Sequence, residues 1–487
     1  MRLVSRRRTW LAVAVLVAVV AVARPTLGVH AEATPPAPVF TSGDIGFAEG
    51  SGLWVDPAPR LDGMAAYVPG RSPIVRVDLN WWYVESCPGC ALRWDRLDPV
   101  VDAAASRGMR VLLVLAYAPP WANGGHADDK WFPTQDGDWT SIIDRTVRHV
   151  GAKVQAYEVW NEPNISFFGN YAGDPKVRYW QLVRLAWQSV HATCSACVVV
   201  AGASGYGGSA AAESGAWLDW AYTNGYRDDF DAVAHHPYPA WNVGFGPARP
   251  ECTYRWWNMF GPDGENPACG ELAYVHSVMV RHGDTAKKIW ATEWGYPTSG
   301  AAGTPLATIR DYLVQGVRMW RGLSYTGPLL LYSFRDACAA ADDPECHFGV
   351  VTASFAPKEP LFSDLSAALR YDASAALRSG QSLLGHWPMT SLDGRFQVWL
   401  QDDGNLVLYR RRDGQALWAT GTRTGAHLDN QPDGSLVLYR SDGTVAWASG
   451  TPGNGPSTLW VQEDGNLVLY RDSDATPSWA SGTAGRY

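Results

Sequence analysis

Eight short strand-like runs, separated by stretches with helical spacing, constrain this chain more than any other feature. They fall at residues 44–47, 74–81, 111–115, 154–160, 197–201, 230–234, 289–293 and 329–334. Helical patterns occupy 97–109, 138–150, 217–222, 271–281 and 306–320, and another begins at Asp174, a capping residue followed by Pro175. Strand and helix alternating over about 330 residues suit one α/β domain, a (β/α)8 TIM barrel. A doubly wound open sheet is the alternative, weakened because no run is followed by a Gly-rich phosphate loop.

The pattern changes near residue 371, where helical spacing stops and a repeat begins. Gln401-Asp402-Asp403-Gly404-Asn405-Leu406-Val407-Leu408-Tyr409 returns after 30 residues from Gln431 to Tyr439, and after a further 31 from Gln462 to Tyr470. Each copy is followed by a Trp-Ala pair, at Trp418, Trp447 and Trp479. That length fits one small antiparallel sheet per copy, and three sheets can close an all-β prism around the shared Trp and Leu. The expected organisation is an export signal over 1–31, a barrel over 36–372 and a prism over 376–487.

Residues 1–31 contain five arginines, no acid and an apolar run too short to span a bilayer comfortably. We read them as an export signal, of twin-arginine or ordinary type, with an uncleaved anchor as the other possibility. The expected location is therefore secreted and extracellular, with no stable membrane insertion after signal removal. The formal charge of −8 becomes −13 once those five arginines are set aside, which argues against nucleic-acid partners. Eight cysteines lie as near neighbours, Cys87/Cys90, Cys194/Cys197, Cys252/Cys269 and Cys338/Cys346, and in an exported chain an even count points to disulfides. The two C-x-x-C pairs could instead form a zinc knot; our expectation is no metal and no cofactor.

Two of the strand-like runs end in a glutamate. One reads Glu158-Val159-Trp160-Asn161-Glu162-Pro163-Asn164, the other Ala291-Thr292-Glu293-Trp294-Gly295. A carboxylate at the end of a buried strand is costly unless it has polar partners or a task. Together with Val75-Arg76-Val77-Asp78 and His236-Pro237-Tyr238, these motifs resemble clan A of the glycoside hydrolases, over about residues 40–370. Within that clan the likeness is greatest to family 39, with family 5 close behind. The resemblance implies a retaining hydrolase of β-glycosides in which Glu162 is the acid/base and Glu293 the nucleophile. Asn161 would bond the sugar 2-hydroxyl, Arg76 and Tyr238 would hold Glu293 ionised, and His236 would orient that network or touch sugar. With 25 Trp and 21 Tyr the chain is rich in flat rings, and Trp121, Trp241 and Trp294 are candidate platforms. Where many clan members have a Trp after the eighth strand, this chain has Tyr332 and Phe334.

The repeats resemble the bulb-type mannose-binding lectins of monocots. That resemblance makes Gln401, Asp403, Asn405, Val407 and Tyr409 a mannose site, and Gln462, Asp464, Asn466, Val468 and Tyr470 another. Gln431, Asp433, Val437 and Tyr439 form a second copy weakened by Ser435 in place of Asn. Spaced two apart, such residues share one face of a strand. The expected partners are thus a polysaccharide or glycoside substrate and mannose-type glycans. A non-hydrolytic sugar-binding protein with an inactive barrel, or a transglycosylase, are the alternatives.

Overall fold

The structure, a computed structural model, describes residues 40–68, 72–202, 210–238, 270–298, 305–321, 323–338, 343–370, 376–377, 379–384, 388–391 and 395–486. The segment expected to be an export signal, Trp241, Cys252 and Cys269 lie outside these residues. Eight parallel strands close on themselves in chain order. The first part of the chain gives β1 (Ile45–Ala48), α1 (Pro57–Tyr67), β2 (Ile74–Asp78), α2 (Trp81–Val84), α3 (Leu97–Ser106) and β3 (Arg110–Leu115). Then come α4 (Asp136–Val150), β4 (Ala156–Val159), α5 (Pro175–Thr193), β5 (Val198–Ala201) and α6 (Ala210–Thr223). The barrel is completed by β6 (Ala232–His235), α7 (Glu271–Arg281), β7 (Ile289–Trp294), α8 (Leu306–Arg321) and β8 (Thr326–Leu331), and followed by α9 (Leu361–Arg370).

Local chemistry accounts for the clearest of these elements. Asp174 Oδ1 accepts the free Lys176 and Val177 N–H groups and so starts α5, with Pro175 in its first turn. In α4, Asp136 and Asp138 sit in the first turn and Arg148 and His149 in the last, each complementing the helix dipole. Trp139, Ile142, Ile143, Val147 and Val150 turn one face of α4 inward. The barrel interior is filled by Ile74, Leu112, Val200, Trp290 and Leu330 against four alanines, Ala48, Ala156, Ala232 and Ala234. One indole and several small residues fill a lumen that uniform large side chains would overpack.

Two strands end three residues sooner than the sequence pattern predicts. The second stops at Asp78, because Asn80 adopts a left-handed conformation (φ 44°) and accepts the Tyr83 N–H, turning Trp81 into the first residue of α2. The eighth stops at Leu331; beyond it, the Phe334 N–H donates to Glu49 rather than to a neighbouring strand.

The tail forms three four-stranded antiparallel sheets. Its strands are β9 (Ala376–Leu377), β10 (Gln381–Leu384), β11 (Met389–Thr390), β12 (Phe396–Leu400), β13 (Leu406–Arg410) and β14 (Gln415–Ala419). They continue with β15 (Gly425–Asn430), β16 (Leu436–Arg440), β17 (Val445–Ala448), β18 (Ser457–Val461), β19 (Leu467–Arg471) and β20 (Pro477–Ala480). Each repeat supplies three strands of one sheet, and β11, β10 and β9 supply the fourth to copies one, two and three respectively. Trp418, Trp447 and Trp479 meet with ring centroids 5.3–5.7 Å apart and near-perpendicular planes, the edge-to-face arrangement aromatic rings favour. The pairs Cys87–Cys90, Cys194–Cys197 and Cys338–Cys346 are disulfide-bonded, with no free cysteine among the described residues. No described helix is long and apolar enough to cross a membrane.

Candidate active site

A cleft of about 1060 Å³ opens at the carboxyl ends of the barrel strands. Arg76 and Asp78 reach it from β2, Asn161 and Glu162 follow β4, Tyr238 follows β6, Glu293 lies on β7 and Tyr332 follows β8. One oxygen of Glu162, one of Glu293 and one ring nitrogen of His236 lie within 4.8 Å of each other. The Arg76 guanidinium organises what lies beneath. It donates to Glu158 Oε2 at 2.5 Å, Glu293 Oε1 at 2.6 Å and Asn161 Oδ1 at 2.8 Å, while Tyr238 donates to Glu293 Oε2 at 3.0 Å. Burial and the adjacent Glu293 push the Tyr238 phenol well above its usual range, so it remains a donor.

His236 is fully buried between the two acids. Thr292 Oγ1 donates to Glu158, so it accepts from His236 Nε2–H (3.0 Å), which leaves Nδ1 facing Glu162 Oε1 at 2.8 Å. Burial disfavours the imidazolium, but Glu293 and the bond to Glu162 outweigh it and raise the His236 pKa. Burial likewise pushes up the carboxyls of Glu49 and Asp78, against Arg60 and Arg76 respectively. The Glu345 carboxyl, on an exposed residue of the cleft wall, is raised by desolvation and by Glu293. A metal could draw on Glu162, His236 and Glu293. In this arrangement, however, both His236 nitrogens and both Glu293 oxygens are engaged by protein partners, and the Arg76 charge on Glu293 Oε1 disfavours a second cation beside it.

The backbone here is unusual. Asn80, Tyr117, Trp160 and Glu162 have φ of 44°, 67°, 67° and 44°, all just past strand ends that border the cleft. Non-glycine residues in that region cost roughly 1–3 kcal/mol each and concentrate at functional sites.

Some expected residues are elsewhere. Trp294 is 0% exposed and packs near Tyr296, pointing away from the cleft, so it cannot present a face to sugar. Trp121 stands edge-on to Trp81 and donates its indole N–H to the Glu85 carbonyl, again outside the cleft lining. Phe334 packs on Phe47 in the core, leaving Tyr332 as the ring that follows β8 into the cleft. His236 touches the acids and does not line the cleft. Sequence reasoning missed Glu158, Asp78, Glu49, Glu345 and Thr292. An acid inside an otherwise apolar strand, as at Glu158, was the available signal.

In the prism, Gln401, Gln431 and Gln462 each donate to the tyrosine hydroxyl of the same copy, Tyr409, Tyr439 and Tyr470, at 2.8, 2.6 and 2.9 Å. The five motif residues do not all share a strand face. Gln401 and Asp403 belong to the turn before β13, where Asp403 accepts the Asn405 N–H. The Asn405 side-chain carbonyl accepts from Gly421 N and Thr420 Oγ1, and that of Asn466 accepts from Thr483 N and Ser481 Oγ. Asp433 and Asp464 repeat the turn, and Val407, Val437 and Val468 are buried. Gln462, Asp464 and Tyr470 line a shallow cavity of about 740 Å³.

A (β/α)8 barrel with an acid pair in its mouth, joined to a three-sheet prism, defines the class of this molecule. No protein-family model matches the sequence. The B-type lectin plumieribetin of Scorpaena plumieri is 33% identical over 101 residues, 20% of this chain and 81% of its own. Through its repeats, the chain belongs to the B-type lectins. The structure is also similar to a family 39 glycoside hydrolase from the gut symbiont Bacteroides cellulosilyticus WH2, with a TM-score of 0.55 and 20% identity, covering 84% of this chain and 74% of that one. This is a likeness of fold. A monomeric monocot mannose-binding lectin from Gastrodia elata matches 23% of this chain and 99% of its own, at 36% identity and a TM-score of 0.21.

Proposed function

We propose that the protein is a secreted retaining β-glycoside hydrolase whose lectin module holds it to mannose-type glycans. The observation that carries the enzymatic reading is the meeting of Glu162 and Glu293 oxygens within 4.8 Å across the cleft. Retaining enzymes keep their carboxyl groups about 5–5.5 Å apart, whereas inverting ones leave room for water at about 6.5–9.5 Å. In the first step Glu293 attacks the anomeric carbon, the bond to the leaving oxygen breaks, and Glu162 gives that oxygen its proton. In the second, Glu162 takes a proton from water, which attacks the same carbon and releases Glu293. Arg76 and Tyr238, bonded to separate Glu293 oxygens, favour the ionised nucleophile. Asn161, held by Arg76 and lining the cleft, would bond the sugar 2-hydroxyl. The apolar run and arginines of residues 1–31 support export, and the Gln-x-Asp-x-Asn-x-Val-x-Tyr pattern supports mannose as the lectin ligand.

The test separates the two glutamates. General acid catalysis contributes roughly 10²–10⁴-fold and matters least for a leaving group that departs without a proton. Glu162→Ala should therefore cripple cleavage of natural glycans yet spare the first step on an aryl β-glycoside of an acidic phenol, and azide should restore turnover as the β-glycosyl azide. Glu293→Ala should lose both substrates, and azide should give at most the α-azide. Swapped behaviours would reverse the roles; wild-type rates in both would end the reading.

A further inference from the structure

We infer that Phe167 is the platform for the leaving-group sugar, so that the cleft is built for substrates in which the departing alcohol is itself a pyranose. This rests on the glycosidase reading above. Phe167 lines the cleft and is 70% exposed, whereas the other apolar rings on the wall are largely covered. A lone exposed apolar residue needs no explanation, but one on the lip of the cleft that holds the acid pair can stack on the C–H face of a sugar.

The backbone assigns it to the leaving-group side. From Glu162 the chain makes a tight turn, with Ile165 N–H donating to the Glu162 carbonyl at 3.1 Å and Phe168 and Gly169 N–H donating to the Ile165 carbonyl at 2.9 and 2.7 Å. Phe167 is thus tied to the residue that delivers the proton. Glu293 and Tyr238 stand across the barrel, on β7 and after β6, and hold the sugar undergoing substitution. The leaving oxygen departs toward its proton donor, and so toward Phe167. The ring is also braced: Phe168 stands edge-on to it at 4.8 Å, and the Phe168 carbonyl accepts the Trp160 indole N–H at 2.7 Å. A braced ring loses little freedom on stacking. Neither Trp121 nor Trp294 supplies such a surface here.

The experiment compares leaving groups. Wild-type protein is assayed on β-1,4-linked manno-, gluco- and xylo-oligosaccharides, and on the glycosyl fluoride of whichever sugar is cleaved. Fluoride departs without a ring to stack. Phe167→Ala should lower kcat/KM on the oligosaccharide by roughly tenfold or more, the loss of one apolar ring face. It should leave the glycosyl fluoride rate within about twofold. Phe167→Trp, which keeps a flat face, should retain most of the oligosaccharide activity. An equal loss on both substrates, or no loss on either, overturns the inference and leaves the glycosidase reading standing. Wild-type protein inactive on all these oligosaccharides and fluorides overturns that reading, and this inference with it.

Discussion

Arg76 serves three acceptors from one buried position, and the two carboxylates among them, Glu158 and Glu293, depend on it for charge balance. Removing one partner of a buried ion pair costs about 3–5 kcal/mol, because the other is left uncompensated. Arg76→Met should therefore lower unfolding free energy by about that amount in urea titrations at neutral pH. Adding Glu158→Gln should recover part of it, since one stranded charge is gone; a double variant no more stable than the single would refute this account. His236 gives a pH signature of opposite origin. Its folded pKa is raised above the ordinary 6.5, so the folded state holds the extra proton more tightly than the unfolded chain. That stabilisation is fully present below about pH 6.5 and is lost as pH rises through the higher folded value. Thermal midpoints measured from acid to mildly alkaline pH should fall less steeply above about 6.5 for His236→Gln than for wild type.

At the scale of elements, the segment after β4 shows how much of the site the sequence discloses. Its Asn161, Glu162 and position past an apolar strand were legible, because a strand-end carboxylate is anomalous in one dimension. What folds the segment back was not. Gly169 lies so close to the Pro163 carbonyl that an added Cβ would collide with its backbone. Gly169→Ala should therefore spread the turn, displacing Glu162 and Phe167 together. The expected outcome is a fall in kcat on glycans with little change in the circular dichroism of the barrel. Unchanged kinetics would show that the turn tolerates the methyl group. The same limit hid Glu158 and Thr292: their partners Arg76 and His236 are 82 and 56 residues away, and only barrel closure brings them together. Helix α1 escaped notice for a local reason, since its Pro57, Pro59 and Gly63 mask the spacing of Leu61, Met64 and Tyr67 that it buries. Trp121 and Trp294 failed as platforms for another reason: a Trp beside a candidate catalytic motif reads alike whether it faces sugar or core, and its packing decides.

On the scale of the whole molecule, the acid pair belongs to the closed barrel and the repeats to three separate antiparallel sheets. Lectin binding and hydrolysis should then be separable. The variant that tests this must spare the prism scaffold. Asn405 and Asn466 are poor choices, because their side-chain carbonyls hold the turns at 420–421 and 481–483. Gln401 and Gln462 bond only the Tyr409 and Tyr470 hydroxyls among the described side chains, so replacing both by Ala removes the donors expected to meet mannose at little structural cost. The double variant should pass through a mannose resin that retains wild type, with its thermal midpoint nearly unchanged. Its kcat/KM on a small soluble aryl glycoside should equal that of wild type, while its rate on an insoluble mannose-decorated polymer should fall, because tethering raises the local concentration of catalyst. Retention that survives both substitutions would show that the sugar binds elsewhere on the prism. A matching loss on the small substrate would show that the prism and the barrel are coupled after all.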